Sequence, residues 1–212
     1  MLELMIERVR RARKLDAIVI ATSTEKRDTR IADIAERLGV GIFRGSEKDV
    51  LDRYYQAAQK FGADIVMRLT SDCPLMDPCI VDTVADFYLK KKNQFDYVSN
   101  VRPLTFPEGM DVEIFSFRSL EKAWKESSPR EREHVTTYIG KHPEIFRIGN
   151  VFNEKDLSHF RLTLDYKEDL ILIQKLFRVL YPKNQDFTMQ AIVSLLEARP
   201  DFVSINRRFV GM

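Results

Sequence analysis

Two aspartates stand where an open α/β sheet could set them to work on phosphates. Asp72 lies in SDCPLMDP (Ser71–Pro78), directly after the apolar run Ile65–Leu69, which reads as a strand. Ligands of open parallel sheets bind beyond the carboxyl ends of strands. A carboxylate there suits Mg²⁺, a hard cation that takes one or two protein oxygens plus phosphate oxygens. Asp165 lies in LTLDYKEDL (Leu162–Leu170). It is either a second metal ligand or the N-cap of the next helix, since Asp165-x-x-Glu168 is a capping-box pattern. Asp77, just before Pro78, reads as an N-cap. Two other segments follow strands on the same edge. ATSTEKRD (Ala21–Asp28) offers hydroxyls and backbone donors but lacks the glycines and GK[ST] ending of a P-loop. FRGSEKDVLDRY (Phe43–Tyr54) carries Arg44 and Ser46, which either reach a nucleotide phosphate or stay solvated at the surface. His134 and His159 fit no Ser/His/Asp order and no His-x-His spacing, so neither points to nucleophilic or zinc chemistry.

The elements that must position these residues follow from the hydrophobic period. Leu2, Met5, Ile6 and Val9 form a helical stripe, and Ala17–Ala21 is a short apolar run of the buried-strand kind. Ile31, Ile34, Ala35 and Leu38 repeat the helical stripe, ended by Gly39. Gly41–Phe43 reads as a strand, Val50–Phe61 as a helix, Ile65–Leu69 as a strand, and a helix opens at Asp77-Pro78. This alternation predicts an α/β sandwich with a mostly parallel sheet. Farther on, Tyr97–Val101, Val112–Phe117 and Phe146–Phe152 read as extended. A capping box at Ser128-Pro129-Arg130-Glu131 predicts a helix running toward Gly140. Amphipathic helices follow from Asp165 and from about Thr188 to Arg199.

The chain of 212 residues is 44% hydrophobic with 8 Gly and 8 Pro, which excludes disordered and fibrous classes and allows one domain over residues 1–212. Lys+Arg 34 against Asp+Glu 32 leaves a formal charge of +2, so no bulk field draws it to nucleic acid or lipid. The basic runs lack interleaved aromatics, and no apolar run reaches the ~18 residues of a membrane span. Cys73 and Cys79 match no zinc spacing and make no disulfide framework. The expectation is a reduced, cytoplasmic protein with no nucleic-acid or membrane partner.

In combination the motifs are more specific. ATSTEKRD, GIFRGSEKDVLDRYYQAA, ADIVMRLTSDCPLMDPCIVD, FPEGMDVEIFSF, EREHVTTYI and RLTLDYKEDL occur in this order. Together they resemble the cytidylyltransferase family of spore coat polysaccharide biosynthesis protein F, related to the CMP-Kdo and CMP-acylneuraminate synthetases. The resemblance implies a nucleotide-diphospho-sugar transferase-like three-layer sandwich. It also implies CTP- and Mg²⁺-dependent activation of a sugar acid for a cell-surface or spore-coat glycan. It makes Asp72 and Asp165 the catalytic metal aspartates, places Arg44 and Ser46 near the nucleotide, and makes Glu108, Asp111 and Glu113 candidates for binding the sugar. Asp111 and Glu113 would share a strand face. The resemblance further implies a homodimer formed through Phe95–Lys141, with Phe115, Phe117 and Trp124 as possible anchors. One departure stands out. Such proteins open with a strand and a Q-A-R-x-G-S-x-R-L-P-G-K loop that cradles the triphosphate, whereas this sequence opens on MLELMIERVRRAR, which matches the helix after that loop. An N-terminally truncated sheet lacking its first strand, with impaired activity, is therefore expected. A glycosyltransferase using a nucleotide-sugar donor and a non-catalytic interaction module are the rival readings; a D-x-D pair favouring the former is missing from Ser71–Pro78.

Overall fold

A computed structural model describes residues 1–211. The elements are, in chain order, α1 (Leu2–Val9), β1 (Val19–Ser23), α2 (Thr29–Leu38), β2 (Gly41–Gly45), α3 (Val50–Lys60), β3 (Ile65–Arg68), α4 (Pro78–Lys90), β4 (Tyr97–Ser99), β5 (Glu113–Ser116), α5 (Phe117–Glu126), α6 (Thr137–Lys141), β6 (Ile148–Asn150), α7 (Lys167–Leu180), α8 (Met189–Ala198) and α9 (Pro200–Val203). β1 and β2 pair in parallel, and a four-stranded sheet runs in the order β3-β5-β4-β6. β5 is antiparallel to β3 and β4, and β6 is parallel to β4, so β3, β4 and β6 share one direction. The expected α/β class with a largely parallel sheet is what the chain adopts.

Side chains alternate across this sheet, as a two-residue period requires. Val98 and Ile114 enter a core with Val9, Met76, Ile80, Val84, Leu162, Ile173, Leu176 and Ile192, beneath α1, α4, α7 and α8. Tyr97 and Phe115 face the other way, into a second core with Leu51, Tyr55, Leu120, Val135 and Ile139 beneath α3, α5 and α6. Helices thus cover both faces, giving three layers. The aromatic residues considered as dimer anchors are used inside the chain. Phe115 is fully buried, and Phe117 and Trp124 both stack on Tyr55, with ring centroids 5.5 and 4.2 Å apart. The Trp124 indole also donates to Asp52 at 2.8 Å.

Helix ends follow the predicted chemistry at several points. Asp77 accepts from the Cys79 amide at 2.8 Å with Pro78 in the first turn, and Gly39 closes α2 with φ 62°. Two expectations fail. The helix predicted from Pro129 to Gly140 is a single 3-10 turn, Pro129–Glu131, followed by irregular chain before α6. Arg132 accounts for the break. Its side chain donates to Asp49 and to the Trp124 carbonyl, each at 2.7 Å, and its carbonyl accepts from the Leu51 amide at 2.9 Å. The carbonyl bond takes an acceptor that a continuous helix would use itself, and the side-chain bonds tie the turn to the start of α3 and to α5. Nor does Asp165 cap α7. That helix starts at Lys167, and Asp169 accepts from the amides of Asp165 and Tyr166 at 3.1 and 2.9 Å.

The turn carrying Asp72 is anchored from below. Cys73, Leu75 and Met76 are buried, and Arg8 of α1 reaches beneath them with 1% of its surface exposed. Its guanidinium donates to the carbonyls of Met76 (3.0 Å), Leu75 (3.3 Å) and Phe187 (2.9 Å) and lies 4.0 Å over the Phe187 ring. Burial lowers the Arg8 pKa to about 10, so it remains charged at neutral pH. Replacing Arg8 by Met should therefore cost about 2–4 kcal/mol, because buried carbonyls lose charge-assisted donors. Urea unfolding checks this: the midpoint should fall with an unchanged slope, and an unshifted midpoint would show that the three bonds contribute nothing net.

Candidate active site

Three loops meet past the ends of β3 and β5. The Asp72 turn follows β3, the FPEGMD loop (Phe106–Asp111) precedes β5, and the RLTLD segment (Arg161–Asp165) precedes α7. Backbone hydrogen bonds join them. The Leu164 amide donates to the Asp72 carbonyl at 2.8 Å, so the residue before Asp165 is bonded directly to Asp72. Glu108 and Arg161 form a parallel bridge, with Glu108 N–Phe160 O at 2.9 Å and Leu162 N–Glu108 O at 2.7 Å. Gly109 permits this approach. Its φ is +94°, and a Cβ there would sit 2.4 Å from the Thr163 nitrogen, a contact only glycine avoids. Asn100, fully buried, holds the other end of the loop by donating to the Met110 carbonyl (2.7 Å) and accepting from the Val112 amide (2.8 Å).

Charge organises the same place. Arg161, whose side chain is 1% exposed, pairs with Glu108, Asp165 and Asp169 at 2.5, 2.5 and 3.2 Å. Burial opposes its charge, but hydrogen bonding to Asp169 and the surrounding carboxylates raise its pKa well above the ordinary value. Asp169 is likewise buried, yet donors from Arg161, Asn206 and the Tyr166 and Asp165 amides hold its carboxyl below the usual range. Asp165 keeps 48% of its side chain exposed and Asp72 is half-buried, so both can meet a ligand. Near them Asp111 accepts, among the described residues, only a 3.3 Å bond from the Gly109 amide. Burial, reinforced by Glu108, Glu113 and Asp72, pushes its carboxyl up to about 6. Burial also raises Glu108, with Arg161 opposing. Arg161 thus serves three carboxylates and Arg68 serves Glu113, while Asp72 and Asp111 make no ion pair among the described residues, and the surplus negative charge favours a cation. Among the described residues no group of three or more His, Cys, Asp or Glu side chains makes a metal cage alone. A Mg²⁺ site completed by phosphate oxygens asks for only one or two carboxylates, and Asp72 and Asp165 stand on turns joined by the Leu164–Asp72 backbone bond.

The remaining sequence candidates divide. Glu113 is 5% exposed and accepts from Tyr97 Oη and Thr136 Oγ1, each at 2.6 Å, and from Arg68. Its oxygens are engaged within the protein. Arg44 rivets β2 to the loop after β1, donating to the carbonyls of Ser23 (3.0 Å) and Glu25 (2.9 Å). Ser46 Oγ accepts from the Asp49 amide at 3.0 Å at the entrance to α3 and remains exposed. Within ATSTEKRD, Asp28 binds Thr22 and Ser23, which keeps its carboxyl low. Arg161 and Asp169 escaped sequence reading. The signal was present in RLTLDYKED, where an arginine precedes Asp165 by four residues and a second carboxylate follows it by four.

The cytidylyltransferase family model matches residues 1–197. The chain belongs to the cytidylyltransferase family. It is 38% identical over 208 residues to an uncharacterized protein, MJ1063, of Methanocaldococcus jannaschii, covering 97% of this chain and 83% of that protein. It is 28% identical over 212 residues to the spore coat polysaccharide biosynthesis protein SpsF of Bacillus subtilis, covering 95% of this chain and 85% of that one. Among solved structures, a cytidylyltransferase from Leptospira borgpetersenii superposes with a TM-score of 0.91 at 33% identity, over 95% of this chain and 84% of that one. In this cytidylyltransferase no helix among the described residues is long and apolar enough to cross a membrane.

The Asp111 carboxyl yields a signed prediction. Folded, it loses its proton near pH 6; unfolded, near its ordinary 3.8. The unfolded chain therefore releases this proton first, and stability falls as pH rises through that window. Asp111→Asn should unfold later than wild type above pH 6, by on the order of 1–3 kcal/mol, and show no advantage near pH 3. Thermal melts across pH test it; equal melting points at pH 7 would mean the buried charge carries no penalty.

Proposed function

We propose that this cytidylyltransferase moves the cytidylyl group of CTP onto a hydroxyl of a sugar acid and releases pyrophosphate. The observation that carries the reading is the Leu164–Asp72 backbone bond, which sets the Asp72 and Asp165 turns side by side past the sheet. Family membership supplies the reaction class, and the excess of carboxylate over guanidinium supplies the demand for a cation. The sugar oxygen attacks the α-phosphorus, a bond to phosphorus forms as the bond to the β-phosphate oxygen breaks, and pyrophosphate leaves. Positioning and charge neutralisation carry most of such a reaction. Mg²⁺, when bound, neutralises phosphate charge and polarises the phosphorus.

The chain's own residues have distinct duties. Asp72 and Asp165 would hold the ion with the phosphates, and Asp169 and Arg161 fix Asp165 from its amide and its carboxylate. Asp111, with a carboxyl near 6, is suited to take the proton from the attacking hydroxyl at neutral pH. Arg44 and Ser46 shape the nucleotide side by holding the loops after β1 and β2. A product for surface or spore-coat polysaccharide would fit the likeness to SpsF.

Calorimetry with CTP and Mn²⁺ in place of Mg²⁺ tests the site. Wild type should bind CTP more tightly with the metal than without it. Asp72→Ala and Asp165→Ala should each lose that enhancement, by about 10- to 100-fold, the effect of a lost charged contact. An unchanged enhancement removes the altered residue from the metal site. Binding of a nucleotide-sugar but not CTP would point instead to a glycosyltransferase.

A further inference from the structure

Two large rings stack beside Asp165 without joining either hydrophobic core. Tyr166, the residue after Asp165, is 41% exposed and Phe209 is half-buried, and neither belongs to the clusters on the two faces of the sheet. Their ring centroids lie 4.0 Å apart with the planes 8° from parallel. The Arg161 guanidinium stands over the Tyr166 ring at 5.4 Å, and the Arg208 guanidinium over the Phe209 ring at 4.6 Å. A ladder of cation, ring, ring and cation thus links the buried arginine of the site to the segment Asn206–Gly211. Stacked rings and cations over ring faces attract one another beyond the area they bury. Because much of both rings stays in water, the stack adds little to global stability.

The segment that carries Phe209 meets the Arg161 cluster repeatedly. Asn206 donates to the Asp169 carboxylate at 2.8 Å and to the Arg161 carbonyl at 2.9 Å. Arg208 pairs with Glu168 in the first turn of α7. Burial raises the Glu108 carboxyl, and Arg161 together with a backbone hydrogen bond from Gly211 opposes this. Asp165 itself is lightly held. Its Oδ2 accepts from Arg161 at 2.5 Å, while its Oδ1 makes no hydrogen bond among the described residues. Its amide and that of Tyr166 both donate to Asp169. Clamping the Tyr166 ring therefore steadies the backbone next to Asp165 and the guanidinium that holds its carboxylate. A group that orients a ligand residue tightens ion binding without touching the ion.

We propose that the Tyr166–Phe209 stack is a positioning clamp, by which the segment Asn206–Gly211 sets the Asp165 carboxylate for the phosphate-bound cation. This deepens the function proposed above and rests on it. Both rings act through Asp165 and Arg161, and neither touches the ion.

The test uses Phe209→Leu and Tyr166→Leu, which keep an apolar side chain but abolish the stack, their double variant, and Phe209→Tyr, which retains it. Amide hydrogen exchange of the ligand-free protein reads the clamp directly. The Asp165 and Tyr166 amides should exchange about 3- to 10-fold faster in each Leu variant, the worth of one aromatic pair, with the β4 and β5 amides unchanged. Calorimetry with CTP and Mn²⁺ should show the metal-dependent gain in affinity cut by a similar factor of about 3 to 10, and metal-free CTP affinity unchanged. The double variant should lose no more than either single variant, since both break the same contact. Phe209→Tyr should behave as wild type, and melting points should barely move. Unchanged exchange at Asp165 and Tyr166 overturns the proposal. So does a metal-dependent gain that survives faster exchange, because the stack would then not govern the ion. Equal acceleration in β4 and β5 with a lowered melting point also overturns it, by giving the stack a purely global structural role. A wild type whose CTP affinity ignores the metal would instead sink the functional reading beneath it.

Discussion

The site depends on one buried cation shared by several anions. Arg161 joins Glu108 from the loop before β5, Asp165 from the segment before α7, and Asp169 from the first turn of α7 itself. A guanidinium is suited to this because its fixed fork serves several acceptors at once and its charge survives burial. Removing any partner would leave uncompensated charge in a low-dielectric place, which is what makes such a knot geometrically exacting. Asn206 extends it to the C-terminal region, donating to Asp169 and to the Arg161 carbonyl at 2.8 and 2.9 Å. Segments far apart in sequence thus reach a common arrangement together, and Asp165 inherits its orientation from that arrangement.

Electrostatic frustration is the counterpart of this order. Asp111 lies within the field of Asp72, Glu108 and Glu113 and has no cationic partner among the described residues. A sequence selected for stability alone would have no reason to keep a carboxylate there. Its raised pKa and the surplus of carboxylate around Arg161 describe the same condition, negative charge that the described residues leave unbalanced.

Much of this was legible in the sequence, and the misses have physical causes. Asp77-Pro78 and Gly39 were read correctly because caps are local: the bonds that satisfy them lie within a few residues. The alternation of periods through Leu69 was equally local, and it disclosed the α/β class. Asp165 was harder, because Glu168 three residues on imitates a capping box, while the true partner is Asp169 and the competing claim on Asp165 comes from Arg161. The helix expected after Ser128 failed for a related reason. Arg132 binds Asp49, distant in sequence, and nothing in the local pattern announces that link. Arg44 and Ser46 fell in the segment the motifs marked, yet the structure engages them in bracing loops. Sequence spacing located the neighbourhood of the chemistry; long-range charge pairing decided which side chains in it stay free.

The two cores divide the site between them. Asp72 and Asp165 hang from loops whose apolar neighbours, Cys73, Leu75, Met76 and Leu162, belong to the core under α1, α4, α7 and α8. Glu113 is instead held by Tyr97 and Thr136, which adjoin Val135, Tyr138 and Ile139 in the core under α3, α5 and α6. Close-packed interiors transmit strain, so each loop answers first to the core it rests on. Repacking around Tyr97 or Val135 would therefore move the Arg68–Glu113 pair while leaving Asp72 and Asp165 nearly where they are.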